Sequence, residues 1–473
     1  MATSALDLDF LFYPQSVAIA GATNSTLFAP GKRYVQSLIK SGFKGKIYPL
    51  NSSGEDVLGL KSYRSIREVP GTVEHVISCI PAPATPQLVR DAIEKNAKVV
   101  TLFTSGFSEI DAEEGQVIER ELLEVARRGG VRLLGPNCMG LICPESGLAF
   151  FTSHVARKGP LAFLAQSGGH AHELVAIGAL RGLGFTKIIS YGNGADLNES
   201  DFLRYLAGDP ETRIIATYIE GVKNGPEFAQ ALSETAAAKP VIALKGGKSS
   251  AGARAASSHT GSLAGSARVW DILFRQAGVL AVNDIEEMAD LCLAFSHLRP
   301  PQGRRVGIIT FGGGRGVLAT DECQRAGMVV PPFPPELCRK LGEFTPGVGT
   351  NVKNPVDSTA KVAYKIKEFR TTVELVAACE EIDLLLVYLY ADFLYPDISN
   401  LLQDHTKVVV EAAHEFGKPV AMVLSTCGTL EVTDMVLQSQ QIAAQGGIPT
   451  YPTVSRAARS LGRFIQHHEG REP

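Results

Sequence analysis

The chain has 473 residues, 45% hydrophobic and 20% charged, the balance of ordinary globular domains, and its length calls for two to four cores rather than one. Its 46 basic and 49 acidic side chains leave a formal net charge of −3, which gives no basis for nucleic-acid or membrane-surface binding by bulk charge. The first ten residues lack the basic and apolar segments of a signal peptide, no apolar run is long enough to cross a bilayer, and eight cysteines without a C-x-x-C pair read as reduced thiols, so a soluble, cytoplasmic protein is expected.

Three stretches begin alike. The first is Val17-Ala18-Ile19-Ala20, an apolar strand closing on Gly21 before a helix-compatible segment. The second runs from Leu161 through Ala165 to Gln166-Ser167-Gly168-Gly169, and the third from Val306 through Phe311 to Gly312-Gly313-Gly314, ahead of a periodic helix over 316–326. A continuous apolar run predicts a strand buried on both faces, and hence a parallel sheet. Further strands are predicted at 46–50, 75–80 and 99–103, then at 187–190, 214–219 and 241–244, then at 384–390 and 419–424, with helical patterns between them. A Gly/Pro/polar segment over 141–158 and the sharper Arg299-Pro300-Pro301-Gln302-Gly303 read as connections. The expectation is therefore an α/β protein of three parallel-sheet domains, 1–145, 146–300 and 301–473.

In open α/β sheets, ligands bind beyond the carboxyl ends of the strands. In the first domain this places Gly21-Ala22-Thr23-Asn24, Asn51, Pro81-Ala82 and Ser105-Gly106-Phe107 around one crevice. Backbone amides at such turns suit a phosphate, yet small residues and prolines also simply make turns, and the G-x-G-x-x-G fingerprint is absent.

A Gly/Ala/Ser-rich stretch from Lys248 to Gly265 carries His259 in Ser257-Ser258-His259-Thr260-Gly261. Small residues make a mobile loop, and an imidazole on it is free to carry a group between two places or to be an idle surface histidine. Ser167-Gly168-Gly169 at a helix start offers amides to an anion, or a routine cap.

These motifs have a recognisable order: V-A-I-A-G-A-T, K-I-Y-P-L-N, T-S-G-F-S-E, L-G-P-N-C-M-G, Q-S-G-G, S-Y-G-N, Y-I-E-G, S-H-T-G-S and N-P-V-D. The chain resembles, over nearly its whole length, the α subunits of ADP-forming acyl-CoA synthetases (acetate–CoA ligases) in the succinyl-CoA synthetase superfamily. The resemblance implies a Rossmann-like CoA-binding domain followed by two flavodoxin-like domains. It also implies an enzyme making an acyl-CoA from a carboxylic acid, CoA and ATP through an acyl phosphate. His259 then becomes the phosphoryl carrier, Glu220 of Y-I-E-G the carboxylate that fixes its tautomer, and Gln166, Ser167, Gly168 and Gly169 the phosphate cradle. Asn137 matches the segment beside the CoA thiol. Where the family often has serine the chain has Ala165, and His170 and His172 follow the glycines, either shaping an acyl pocket or lying on a helix surface.

No Walker loop or ATP-grasp domain is legible, so ATP/ADP and Mg2+ are expected on a separate ATP-grasp β subunit, in a heteromer such as α2β2, with no metal ligand assigned here. A CoA sensor without catalysis, or a CoA-transfer enzyme on the same scaffold, are the other readings.

Overall fold

The computed structural model describes residues 7–25, 29–110, 113–150, 154–260, 265–345, 351–357, 362–394 and 400–470, without the side chains of 256–260 and 394. The chain divides into two compact units, Met1–Ala179 with Gly184–Met288, and Leu180–Leu183 with Ala289–Pro473. Among the described residues no helix is long and apolar enough to cross a membrane. All eight cysteines are unpaired thiols.

The first unit holds two sheets. Strands β1 (Ser16–Ala20), β2 (Lys46–Leu50), β3 (His75–Ser78), β4 (Val99–Leu102) and β5 (Arg132–Leu134) form a parallel sheet in the order β2-β1-β3-β4-β5. Every residue of β1, β3 and β4 is buried, as unbroken apolar runs require when helices cover both faces. The chain leaves β1 toward β2 on one side and returns to β3 on the other. The crevice beyond β1 and β3 is therefore the topological switch point.

The second sheet comprises β6 (Gly140–Ile142), β7 (Arg157–Ala165), β8 (Gly184–Ser190), β9 (Ile214–Ile219), β10 (Val241–Lys245) and β11 (Leu280–Val282), in the order β11-β10-β9-β7-β8-β6. Only β6 is antiparallel to its neighbour. Leu141 and Ile142, read from composition as the start of a connection, thus belong to a strand. Three residues are too few to show a period, and their partner β8 lies more than forty residues on. The two sheets are tied at their edges. Asp196 takes Arg132 Nε at 2.9 Å and Nη2 at 3.0 Å, and accepts the Leu133 amide at 2.8 Å.

The second unit carries β12 (Val306–Thr310), β13 (Val356–Asp357), β14 (Leu384–Tyr390), β15 (Val420–Ser425) and β16 (Thr450–Tyr451), parallel in the order β13-β12-β14-β15-β16. The Asn354-Pro355-Val356-Asp357 motif has a packing task here. Asn354 Nδ2 donates to Val306 O (2.7 Å) and Pro331 O (2.9 Å), its Oδ1 accepts the Ile308 amide (2.9 Å), and Asp357 Oδ1 accepts the Gly312 amide (2.9 Å).

The small-residue stretch expected to be a loop is helical over Ser250–Thr260. Ser249 starts it, its hydroxyl accepting the Gly252 amide at 3.0 Å, and four alanines among the next seven residues favour helix strongly enough to absorb one glycine. His259 lies in this helix by its backbone; its side chain is outside the described residues, as are 261–264.

Candidate active site

A cavity of about 600 Å³ opens where the two sheets of the first unit meet. From the first sheet it is lined by Pro81, Thr104, Ser105, Asn137, Cys138 and Met139, among others, and from the second by Gln166, Ser167, Gly168, Gly169 and Gly192. This size lies in the range of small-molecule sites. Of the residues expected around CoA and phosphate, seven line it: Pro81, Ser105, Asn137, Gln166, Ser167, Gly168 and Gly169.

Close packing sets its walls. Gly21, at φ +86, turns so tightly that an added Cβ would lie 2.8 Å from Cys79 O, and its own carbonyl abuts Gly31 at the start of the helix Pro30–Lys40. Its amide and that of Ala22 both donate to Leu50 O at 3.1 Å. Asn137, itself at positive φ, donates its amide to Thr104 O (3.1 Å), and Asn193 donates its own to Pro136 O (3.0 Å). Cys138 is buried, and burial pushes its thiol up to about 12, leaving a packing group rather than a nucleophile.

Other expected contacts turn inward. Phe107 is fully buried in the core of the first sheet, so its ring is not offered to a ligand. The Gly106 and Phe107 amides point at the Glu109 carboxylate, at 2.5 Å and 3.2 Å to Oε1. Glu109 Oε2 accepts in turn from Asn193 Nδ2 at 2.6 Å. Glu109 and Asn193 were not singled out from the sequence, although both stand inside the T-S-G-F-S-E and S-Y-G-N motifs. They join the lip of one sheet to the lip of the other. Asn51 is likewise spent locally, Oδ1 accepting from Ser53 N (3.0 Å) and Oγ (3.1 Å), and Asn24 Nδ2 donates to Asp56 O (2.7 Å). Thr23 Oγ1 accepts the Ser25 amide (3.2 Å), and Ala82 begins the short turn ahead of the helix Thr85–Glu94.

At the second sheet, β7 runs into the helix Gly168–Arg181, with Ser167 before its first turn and its Oγ accepting the His170 amide at 3.4 Å. Such a terminus carries partial positive charge toward the cavity. Gln166 is turned away from that role. Its Oε1 accepts the amides of Glu220 (2.7 Å) and Gly221 (3.2 Å), so its carboxamide fixes the turn after β9 rather than an anion.

Glu220 is 6% exposed at the end of β9, and the Tyr218 hydroxyl donates to its Oε1 at 3.1 Å. Burial and the adjacent carboxylate hold the Tyr218 phenol well above its ordinary pKa, which keeps it a donor. Lys245, at the end of β10, donates to Glu220 O (2.6 Å) and to Gly246 O, with Nζ 5.0 Å from the Trp270 ring centre. Burial lowers its pKa to about 8. Among the described residues no group of three or more His, Cys, Asp or Glu could hold a metal ion.

The arrangement brings together a crevice at a switch point, a helix terminus able to hold an anion, and a buried carboxylate tied to it through Gln166. Residues 15–144 match a CoA-binding domain, 158–295 a succinyl-CoA ligase-like flavodoxin domain and 306–462 a ligase-CoA domain. The chain is 36% identical over 464 residues to the α subunit of acetate–CoA ligase (ADP-forming) II of Pyrococcus furiosus, covering 97% of both chains. It is 38% identical to acetate–CoA ligase (ADP-forming) I of Archaeoglobus fulgidus, covering 97% of this chain and 64% of that one. The solved acetyl-coenzyme A synthetase 1 of Ca. Korarchaeum cryptofilum, in complex with phosphate and ADP, superposes with a TM-score of 0.83 at 30% identity, over 98% of this chain and 97% of that one. The chain belongs to the α subunits of the ADP-forming acyl-CoA synthetases, acid–thiol ligases of the succinyl-CoA ligase type, and CoA and a nucleotide are reactants of that class.

Proposed function

We propose that the chain works in the cytoplasm with a partner subunit carrying an ATP-grasp domain, in an assembly such as α2β2, to make an acyl-CoA from a small carboxylic acid, CoA and ATP. CoA lies in the cleft, its chain passing Pro81 and Ser105 and its thiol toward Asn137 and Ser167. The observation that carries this reading is the single cavity lined by Pro81, Ser105 and Asn137 of one sheet and by Ser167–Gly169 of the other, with Glu220 held by Gln166 beside it. The length of the relatives supports the partner: the Pyrococcus chain, matched over 97% of its length, is called an α subunit, whereas 64% of the Archaeoglobus chain is matched and about a third of it lies outside the match.

His259 takes the phosphoryl group at the partner's nucleotide site, where Mg2+, bound with the nucleotide, would offset phosphate charge. Glu220 accepts a hydrogen bond from the proton-bearing nitrogen of His259, leaving the other nitrogen nucleophilic. Back at the cleft, the N–P bond breaks as the carboxylate of the acid takes the phosphoryl group, giving an acyl phosphate. The amides of Gly168 and Gly169 hold the transferring oxygens without reorganising. The CoA thiol then attacks the acyl carbon, and phosphate leaves with the pair of electrons from the C–O bond and the thiol proton.

The test is to mix this chain with its ATP-grasp partner and follow ADP release against a panel of acids. ADP release that requires both an acid and CoA, and that is absent for the chain alone, is expected. CoA exchange between acids by the chain alone would instead make it a CoA-transfer enzyme. CoA binding with no turnover under any condition would make it a sensor.

A further inference from the structure

Met139 has no part in the mechanism above, yet it stands between the two walls of the cleft. It lines the cavity beside Asn137 and Cys138 and is half-buried. Its side chain lies against Gly168, the first residue of the helix Gly168–Arg181: a Cβ added to that glycine would fall 2.3 Å from Met139 Cγ and 3.5 Å from Sδ. The main chain of Met139 is held from two sides. Its amide donates to Ser190 Oγ at the end of β8 (3.1 Å), and its carbonyl accepts from the Tyr34 hydroxyl of the helix Pro30–Lys40 (2.6 Å). Ser190 and Tyr34 are both fully buried, so this clamp is rigid and the thioether keeps its place. The cavity wall also includes the apolar Ile80, Pro81 and Phe103, and among the described residues lining it none carries a charged side chain. A second carboxylate on a substrate would lose water there without gaining a cation.

We propose that Met139 is the specificity-determining residue for the acid: its thioether closes the space beside the acyl carbon, so that the cleft takes short, unbranched aliphatic monocarboxylic acids. The inference rests on the function proposed above, in which the CoA thiol reaches toward Asn137 and the phosphoryl group is held at Ser167–Gly169. In the attack of thiol on acyl phosphate, the acyl carbon lies between those two points. The tail of the acid has to leave that line sideways, and the side chain spanning from the Asn137 segment to Gly168 is the one it meets. A short tail packs on Sδ and Cε, soft groups that suit an irregular apolar contact. A longer or aryl tail has to displace them, and the clamp by Ser190 and Tyr34 leaves the main chain no room to follow.

The probes are acetate, propionate, butyrate, pentanoate, phenylacetate and succinate, each given to the full chain with its ATP-grasp partner, CoA and ATP, with ADP release read as kcat/KM. The wild type is expected to prefer the shortest acids, to lose roughly tenfold or more for each methylene beyond the preferred length, and to leave succinate unused. Met139→Ala, which removes Cγ, Sδ and Cε, should raise pentanoate relative to acetate at least about tenfold. Met139→Phe, whose rigid ring fills the same space, should narrow the series toward acetate. Partial unfolding lowers every acid alike and leaves such ratios where they were. The two variants shift the ratios in opposite directions, so either one decides the matter if the other does not fold. An order of acids that neither variant moves, or a wild type that uses pentanoate and phenylacetate as well as acetate, overturns the proposal and leaves the function above intact. A wild type that releases no ADP with any acid removes that function, and this inference with it.

Discussion

Gln166 holds Glu220 by the backbone, its Oε1 accepting the Glu220 amide at 2.7 Å and the next amide, of Gly221, at 3.2 Å. A residue at the mouth of the phosphate cradle therefore sets where the carboxylate after β9 begins. Replacing Gln166 by leucine keeps the volume and leaves two buried amides without an acceptor, at about 1–3 kcal/mol each. Thermal unfolding should show a clear loss, and phosphorylation of the chain should slow at least tenfold while CoA affinity moves little. A stable variant with unchanged phosphorylation would remove Gln166 from the positioning of Glu220.

Lys245 and Trp270 give an optical reading of the same corner. The chain has one tryptophan, and the Lys245 ammonium lies 5.0 Å from its ring. Burial lowers the folded pKa to about 8 from 10.5, so between those values the unfolded chain holds a proton that the folded chain has released. Stability attributable to this group accordingly rises with pH across that window. Tryptophan emission should change with a midpoint near pH 8, and Lys245→Met should abolish the step. The same midpoint persisting in the variant would assign the titration elsewhere.

Gly192 is wedged between the sheets. It sits at φ +57, and an added Cβ would lie 2.3 Å from Pro136 O and 2.4 Å from Asn137 O. Gly192→Ala must push the segment around Asn137 away from the cleft, at about 1–3 kcal/mol for overpacking plus the cost of positive φ. A several-fold rise in the KM for CoA with a lowered Tm is expected. Unchanged values for both would mean that the contact relaxes freely.

His75, in the middle of the first sheet, is 1% exposed, with Nε2 2.7 Å from Thr101 Oγ1, and burial lowers its pKa to about 4. The unfolded chain gains a proton near pH 6.5 that the folded chain refuses until about pH 4. The stability of neutral His75 is therefore complete above 6.5 and is lost on acidification, at about 1.4 kcal/mol per pH unit. Denaturant unfolding between pH 7 and 5 should show that slope, and His75→Gln should flatten it by one proton.

The central strands were legible because a buried parallel strand writes itself as an unbroken apolar run: Ile214–Ile219 and Leu384–Tyr390 are strands over the ranges predicted. Short edge strands such as Arg132–Leu134, Leu280–Val282 and Thr450–Tyr451 were not, since two or three residues carry no period and are held by partners far along the chain. The Lys248–Gly265 stretch misled by composition: its glycines and serines suggested a loop, while its alanines make a helix. At the site, the elements were legible and the directions of the side chains were not. Gln166 satisfies two backbone amides more than fifty residues on, Glu109 takes the Asn193 side-chain amide from the other sheet, and nothing local in either residue announces those partners.

The carrier role of His259 is tested most directly by incubating the chain and its ATP-grasp partner with γ-labelled ATP and recovering the label on each polypeptide. Acid-labile, base-stable label on this chain is expected, discharged by adding acid together with CoA, slowed in Glu220→Gln and absent in His259→Ala. Label and CoA-ester formation that both survive in His259→Ala would contradict the relay.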